Sequence, residues 1–172
     1  MKRMIYLWAV VLIALASCQN QNGKVTIKDV QKAEKALFSQ DQTVNPEAAK
    51  GAIETFRDFA NQNPEDPQSP EYLFKALEVS VNTKQDAPTS IVLCEKLLKS
   101  FPEFDKNPVA LFMVASFVYE EQLCDTALAH GTYQRIIKNY PDSPFAKDAA
   151  IAIEQLGMSP DELVRKFEQT EN

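Results

Sequence analysis

Ten prolines divide this chain into segments of helical length, and none of them interrupts an amphipathic run. Proline is tolerated in the first turn of a helix, whereas in the interior it removes a hydrogen bond and clashes with the preceding turn. Five prolines follow a residue that caps helices well, so each of these pairs predicts a helix start. The pairs are Asn45-Pro46, Ser69-Pro70, Asn107-Pro108, Ser143-Pro144 and Ser159-Pro160, and Glu162 adds a capping box to the last one.

Three other prolines close apolar runs and reveal an internal repeat. Pro64, Pro102 and Pro141 are spaced 38 and 39 residues apart, a repeat length typical of helical solenoids. Alignment on these prolines superposes a small residue 12 positions earlier, and larger residues four and seven positions after the small one. The aligned sets are Ala52, Ser90 and Ala129; Phe56, Cys94 and Tyr133; and Phe59, Leu97 and Ile136.

Apolar periodicity and proline placement together predict an all-α fold. No stretch shows the strict alternation of a β-strand on both sides of an Asn-Gly turn, which is the pattern typical of a β-hairpin. We expect helices over residues 28–40, 46–63, 70–84, 88–101, 108–122, 125–140, 144–156 and 160–169. Expected core aromatic residues are Phe38, Phe56, Phe59, Phe101, Phe112 and Tyr133. The last helix, with Leu163, Val164 and Phe167 on one face, is expected to cap the end of the stack.

The N-terminal residues resemble a bacterial lipoprotein signal. Lys2 and Arg3 precede an apolar stretch over residues 5–16, which is shorter than the roughly 20 residues that span a bilayer. The run Leu15-Ala16-Ser17-Cys18 resembles a lipobox, which implies cleavage before Cys18, acylation of Cys18 and tethering by lipid without a transmembrane helix. The alternative is an ordinary secretory signal or signal anchor that contains a cysteine.

The residues after Cys18 predict the location and the domain organisation. Gln19 favours sorting to the outer membrane, because an aspartate at that position resembles an inner-membrane retention signal. The next residues are polar and lack an acidic cluster, so we predict the periplasmic face. The predicted organisation is a signal peptide over residues 1–17, a lipidated flexible tether over 18–27 and a helical domain over 28–172.

Composition argues against several classes of function. The formal net charge is −6, and the chain lacks a Lys/Arg stripe that displaces phosphate counterions, so nucleic acid is not expected as a partner. His130 is the only histidine, and the four glycines form no phosphate-binding loop. We therefore predict that the protein is not an enzyme and uses no metal or cofactor.

Cys94 and Cys124 are candidates for a disulfide, because we predict an oxidising compartment. Cys94 falls in the middle of a helix on its predicted core face, while Cys124 falls at a turn between two later helices. A disulfide requires Cα atoms within about 7 Å. We therefore favour two small buried residues over a pair.

The repeat resembles the tetratricopeptide repeat family, whose second helix carries a small residue, an aromatic residue four positions later and a proline twelve positions later. Residues 136–146 are similar to divergent repeats of envelope proteins, such as the Tol-associated cell-division coordinator and the lipoprotein of the outer-membrane barrel assembly machine. First-helix positions of the family are matched by Tyr72 and Ala76, and by Phe112, Ser116 and Tyr119. Over residues 28–156, this resemblance implies a right-handed α-α superhelix of about three helix-turn-helix units, with the C-terminal helix as its cap.

The resemblance also implies a binding groove, since the first helices of that family line a concave surface. Residues 109–119 are apolar except at Ser116, which is more than one buried helix face requires. We predict a partner-binding strip of Leu73, Leu77, Met113 and Phe117. The alternative is that residues 109–119 simply form a helix buried on all sides.

These features predict a lipid-anchored scaffold for protein interactions in a cell-envelope assembly. Outer-membrane protein assembly and Tol-linked division are the two kinds of assembly that the resemblance suggests. The expected partner is an envelope protein or peptide. The alternative is a periplasmic carrier or sensor that binds a small ligand or glycan.

Overall fold

The computed structural model describes residues 23–37, 45–84 and 86–170, and the secondary structure within these ranges is entirely helical. The all-α class is therefore confirmed. Predicted boundaries inside these ranges agree with the observed ones to within two residues. Residues 1–17, Cys18 and Phe38, on which other predictions depend, lie outside the described residues. The helices are α1 (Ile27–Leu37), α2 (Pro46–Gln62), α3 (Ser69–Asn82), α4 (Ala87–Ser100), α5 (Asn107–Met113), α6 (Thr126–Asn139), α7 (Pro144–Gln155) and α8 (Pro160–Thr170), and a π-helical segment (Val114–Gln122) directly follows α5.

Three of the five predicted helix caps are present. The Asn45 side chain accepts hydrogen bonds from the N–H groups of Glu47 and Ala48, and the Ser143 hydroxyl accepts one from Phe145 N–H. Ser159 and Glu162 form the predicted capping box, in which each side chain accepts from the other residue's N–H. These side chains satisfy N–H groups that lack an acceptor within the helix.

The prediction is wrong for Ser69 and Asn107, which lie inside the first turn of α3 and α5. The Ser69 hydroxyl donates to the carbonyl of Asn63, and Asn107 Nδ2 donates to the carbonyl of Phe101 at 2.8 Å. Both acceptors lie six residues earlier in the chain, and both donors are fully buried. These side chains fix the loop before the helix rather than the helix N-terminus.

The three helix-loop junctions that contain Pro64, Pro102 and Pro141 share one backbone geometry. The residue before each proline has a φ of −132°, −134° or −135°. Its carbonyl accepts the N–H of the residue three positions later, whose carbonyl in turn accepts the N–H three positions further on. The 38- and 39-residue spacing in the sequence therefore corresponds to a repeated local structure.

From α1 to α7, helices that are consecutive in the chain pack against one another, and their facing sides form one continuous apolar core. Ala52, Ser90 and Ala129, the small residues of the repeat, are all buried. Among the predicted core aromatics, Phe56, Phe59 and Tyr133 are buried, whereas Phe101 and Phe112 are half-buried and pack against the core. Phe112 contacts the rings of Tyr133 and Phe145, with ring centroids 5.4 and 5.7 Å apart.

The sequence predicts ordinary α-helix where the structure has the π-helical segment. Its wider winding is visible at its end, where Leu123 N–H donates to Val118 O, five residues earlier, at 2.9 Å. π-helical turns are rare, are usually single, and occur frequently at functional sites. Nine consecutive residues in this conformation distinguish Val114–Gln122 from the other described helices.

The contact between α8 and α7 includes Lys166 Nζ, which lies 3.3 Å from a carboxylate oxygen of Glu154. On the predicted capping face, Leu163 is half-buried but Val164 is 56% exposed. The expected burial is therefore wrong for Val164, while the Phe167 side chain lies outside the described part. None of the described helices is both long enough and apolar enough to cross a membrane.

Candidate functional site

A cavity of about 450 Å³ lies where α3 meets α1 and α2, and we call it the α3 cavity. Val79 of α3, Leu37 of α1 and Phe56 of α2 contribute apolar surface to its lining. Its polar lining residues are Glu34, Lys75, Glu78, Asn82 and Thr83. A cavity of this size, with both apolar and polar lining, is typical of sites that hold a small ligand or a peptide side chain.

A second cavity of about 360 Å³ lies between the end of α3 and the π-helical segment. Val81 and Phe117 give it apolar surface, and Lys84 and Glu121 give it charges of opposite sign. Asn82 lines both cavities, so the two adjoin at the end of α3. We call the surface formed by Lys75, Glu78, Val79, Asn82, Phe117 and Glu121 the two-cavity face.

The charged residues of α3 differ in whether they have a partner. Lys75 forms an ion pair with Glu34 of α1, and its Nζ lies 5.0 Å from the centroid of the Tyr72 ring. Glu71 forms an ion pair with Lys106 Nζ at 2.7 Å. Glu78 follows Lys75 by three residues on α3 and makes no hydrogen bond or ion pair within the described ranges.

The environment of Glu78 disfavours its charged form. Partial burial raises the pKa of the Glu78 carboxyl, and Glu71 raises it further, while Lys106 and Lys75 oppose the shift. Half-buried carboxylates without a partner are uncommon, since removing a charge from water costs free energy. A shifted pKa in a concave surface is a physical indication of a functional site.

The predicted strip of four residues is wrong at two positions. Leu73 and Leu77 are 0% exposed and belong to the core, whereas Met113 is half-buried and Phe117 is 46% exposed. The 38-residue repeat aligns Met113 with Lys75 and Phe117 with Val79. The predicted residues Leu73 and Leu77 each lie two residues before these aligned positions. Two residues along an α-helix correspond to a turn of about 200°, so the predicted and the aligned side chains lie on opposite faces of α3.

The positions missed by the sequence prediction are therefore Lys75 and Val79, both of which line the α3 cavity. The repeat spacing contains the signal that locates them. It pairs Leu73 with Leu111 and Leu77 with Ala115, and all four are 0% exposed. Strict use of that spacing separates the core face of α3 from its accessible face.

Hydrogen bonds connect the π-helical segment to α6. The Tyr133 hydroxyl donates to Glu120 Oε2 at 3.3 Å and also interacts with the Ser116 side chain. The Tyr133 ring is buried, and burial raises the pKa of its hydroxyl to about 12. These contacts hold the segment against the core while Phe117 remains accessible.

The remaining candidate side chains do not form a reactive cluster in the described part of the chain. Cys94 is buried and Cys124 is exposed, and they are not bonded to each other, so the predicted burial is wrong for Cys124. Burial raises the pKa of the Cys94 thiol to about 12. His130 is half-buried, and no group of three or more His, Cys, Asp or Glu side chains is placed to hold a metal ion in the ranges described.

No protein-family model, curated protein or solved structure gives a match to this chain. The site is therefore defined by its own geometry: two adjoining cavities, an accessible aromatic ring and a carboxylate without an ion-pair partner in the described residues.

Proposed function

We propose that this protein is a lipid-anchored scaffold on the periplasmic face of the outer membrane, and that its two-cavity face binds a segment of another envelope protein. The observation that carries the proposal is the accessible ring of Phe117 in the second cavity, which shares Asn82 with the α3 cavity. Accessible aromatic side chains next to concave surfaces are typical anchors of peptide recognition. The proposal assigns no chemical step to any side chain.

A tetratricopeptide-like superhelix is the architecture that we propose for this scaffold. The repeated junction geometry at residues 63, 101 and 140 supports it, as does burial of the small residue in each repeat. In such a stack, each unit contacts its neighbours and the first helices share one face. The two-cavity face is built mainly from α3 and the π-helical segment, which belong to first helices in this arrangement.

The lipid anchor accounts for how such a scaffold acts without chemistry. Acylation of Cys18 confines the domain to one membrane plane, which raises its effective concentration near other envelope proteins. A polar tether allows the domain to reach partners at varied positions around the anchor. Binding by the two-cavity face then holds a partner at the membrane surface.

The proposal is tested by cross-linking intact cells that express the tagged full-length chain, followed by quantitative mass spectrometry of the captured proteins. The test variant is Phe117→Glu, and the matched control is Val92→Glu, whose side chain is 62% exposed on α4 outside both cavities. We expect one envelope complex with the wild type and the control, and its loss with Phe117→Glu. Recovery of no partner, or equal loss in both folded variants, would contradict the scaffold.

The α3 cavity also supports a second candidate function, that of a carrier for a small ligand. Its volume of about 450 Å³ falls in the range of ligand pockets. Native mass spectrometry of protein purified from its own cells distinguishes the two functions. A stoichiometric small molecule that is lost in Val79→Trp, which fills the cavity, would favour the carrier.

A further inference from the structure

The arrangement of the two cavities indicates an elongated occupant. They adjoin at Asn82, and each offers a few hundred cubic ångströms to an incoming group. A compact small molecule fills one cavity, whereas a peptide places successive side chains in both. The occupant is the partner segment of the scaffold, so its identity rests on the proposed function.

The charge of the α3 cavity indicates what one of those side chains is. Glu34 and Lys75 neutralise each other across the cavity lining, so Glu78 is the lining carboxylate without a counter-charge in direct contact. Lys106 lowers the pKa of Glu78 through its charge, but its direct ion pair is with Glu71. A cation from outside completes the set of ion pairs along α3, and it does so in a partly desolvated position where a pair is stronger than at the open surface.

The second cavity indicates a different side chain. Lys84 and Glu121 carry opposite charges, so this cavity has no formal excess of either sign. Its largest exposed apolar side chain is Phe117, which is 46% exposed. An apolar side chain removes this ring from water and gains about 25 cal/mol for each Å² of apolar surface buried.

We propose that the segment bound by the two-cavity face is basic and apolar: a Lys or Arg side chain pairs with Glu78, and an apolar side chain packs against Phe117. The formal net charge of −6 favours the approach of a basic segment from a distance. Glu78 sets the specificity for charge, and Phe117 provides the contact area. An acidic segment places a like charge beside Glu78 and is rejected.

Selection from a library of random 12-residue peptides tests this inference with the full-length protein purified in detergent. We expect wild-type protein to enrich peptides with Lys or Arg at one position and an apolar residue at a second fixed position. Glu78→Gln removes the preference for a basic residue, and Glu78→Lys replaces it with a preference for Asp or Glu. The best wild-type peptide binds Glu78→Lys at least about tenfold more weakly, as measured by fluorescence anisotropy.

The matched control is Glu54→Lys, which makes the same change at an exposed glutamate of α2 that lines neither cavity. This variant is expected to keep the preference for a basic residue at the first position. Circular dichroism confirms that each variant is folded, and Glu78→Gln, which introduces no charge, gives the result if Glu78→Lys is unstable. Three results would each overturn the inference. They are enrichment of peptides without a basic residue, a preference for a basic residue that persists in Glu78→Lys, and no enrichment of any peptide.

Cross-linking in cells separates failure of this inference from failure of the proposed function. A partner that is captured by Glu78→Lys but not by Phe117→Glu leaves the scaffold intact and overturns the role of Glu78. Loss of the partner in both variants, with retention in Glu54→Lys, supports the role of Glu78. Absence of any partner with the wild type contradicts the scaffold itself.

Discussion

The hydroxyl groups of Ser80 on α3 and Ser90 on α4 lie 2.7 Å apart, and both side chains are 0% exposed. Ser90 occupies the small position of the repeat, where the other two units have alanine. The pair connects two neighbouring helices by a hydrogen bond inside an otherwise apolar core. A buried polar group costs free energy unless its partner is present.

Ser90→Ala is therefore expected to lower the free energy of unfolding by about 1–3 kcal/mol, because it leaves the Ser80 hydroxyl without a partner. The double variant Ser80→Ala, Ser90→Ala is expected to lose less than the sum of the two single changes, since no orphaned hydroxyl remains. Urea unfolding followed by circular dichroism measures all three. Additive losses would show that the two hydroxyls are not coupled.

The buried and the exposed positions of the predicted strip are expected to differ in how much truncation destabilises the fold. Leu77→Ala removes a fully buried side chain and is expected to cost about 2–5 kcal/mol of unfolding free energy. Phe117→Ala removes a side chain that is 46% exposed and is expected to cost about 1 kcal/mol or less. Chemical denaturation of the two variants checks this difference. A loss for Phe117→Ala as large as that for Leu77→Ala would place Phe117 in the core.

The helix boundaries were predictable because their signals are local. Proline restricts φ and cannot donate to a helix wherever it stands, and a capping side chain such as Asn45 acts within three residues. Ser69 and Asn107 show the limit of this reasoning. Their residue types suit a cap, but the six-residue loops before them place carbonyl acceptors within reach, and the side chains donate to these instead.

The binding face was only partly predictable because it depends on packing. Residues 109–119 are apolar on all sides, so periodicity did not determine which side is buried, nor that the chain widens into a π-helix after Met113. Phe117 is exposed, whereas Met113 is half-buried and packs against the core. The sequence does not predict the role of Glu78, since its lack of an ion-pair partner depends on the pairing of Lys75 with Glu34 and of Lys106 with Glu71, which are contacts between residues distant in sequence.

Cys94 and Cys124 are expected to differ in reactivity toward a thiol reagent. The thiolate is the reactive form, and burial raises the pKa of Cys94 to about 12, whereas Cys124 is exposed. In a Cys18→Ser background, one thiol per chain should react with Ellman's reagent under native conditions and two in denaturant. Reaction of neither thiol until a reductant is added would instead indicate a disulfide.

The proposed anchor predicts that Cys18→Ser abolishes labelling by radioactive palmitate and releases the protein from the membrane fraction. The serine hydroxyl does not accept the lipid that forms a thioether with cysteine. Cys124→Ser is the matched control and should keep both the label and the membrane association. Membrane association without any label in the wild-type chain would indicate a signal anchor.

Glu78→Gln is expected to raise the melting temperature at pH 7, and the gain is expected to shrink as the pH falls. The folded state raises the pKa of Glu78, so it binds the proton more tightly than the unfolded chain does, and the charged carboxylate destabilises the fold above that pKa. As the pH falls through the raised pKa, the wild-type carboxyl becomes neutral and this cost disappears. The charged groups that act on Glu78 are Glu71, Lys75 and Lys106, which both variants retain.

Melting curves from pH 7 to pH 4 measure the difference, with the exposed Glu121→Gln as control. A melting temperature that falls in Glu78→Gln at pH 7 would mean that the Glu78 carboxylate stabilises the free protein. It would contradict the view that this carboxylate lacks a counter-charge until a partner cation binds.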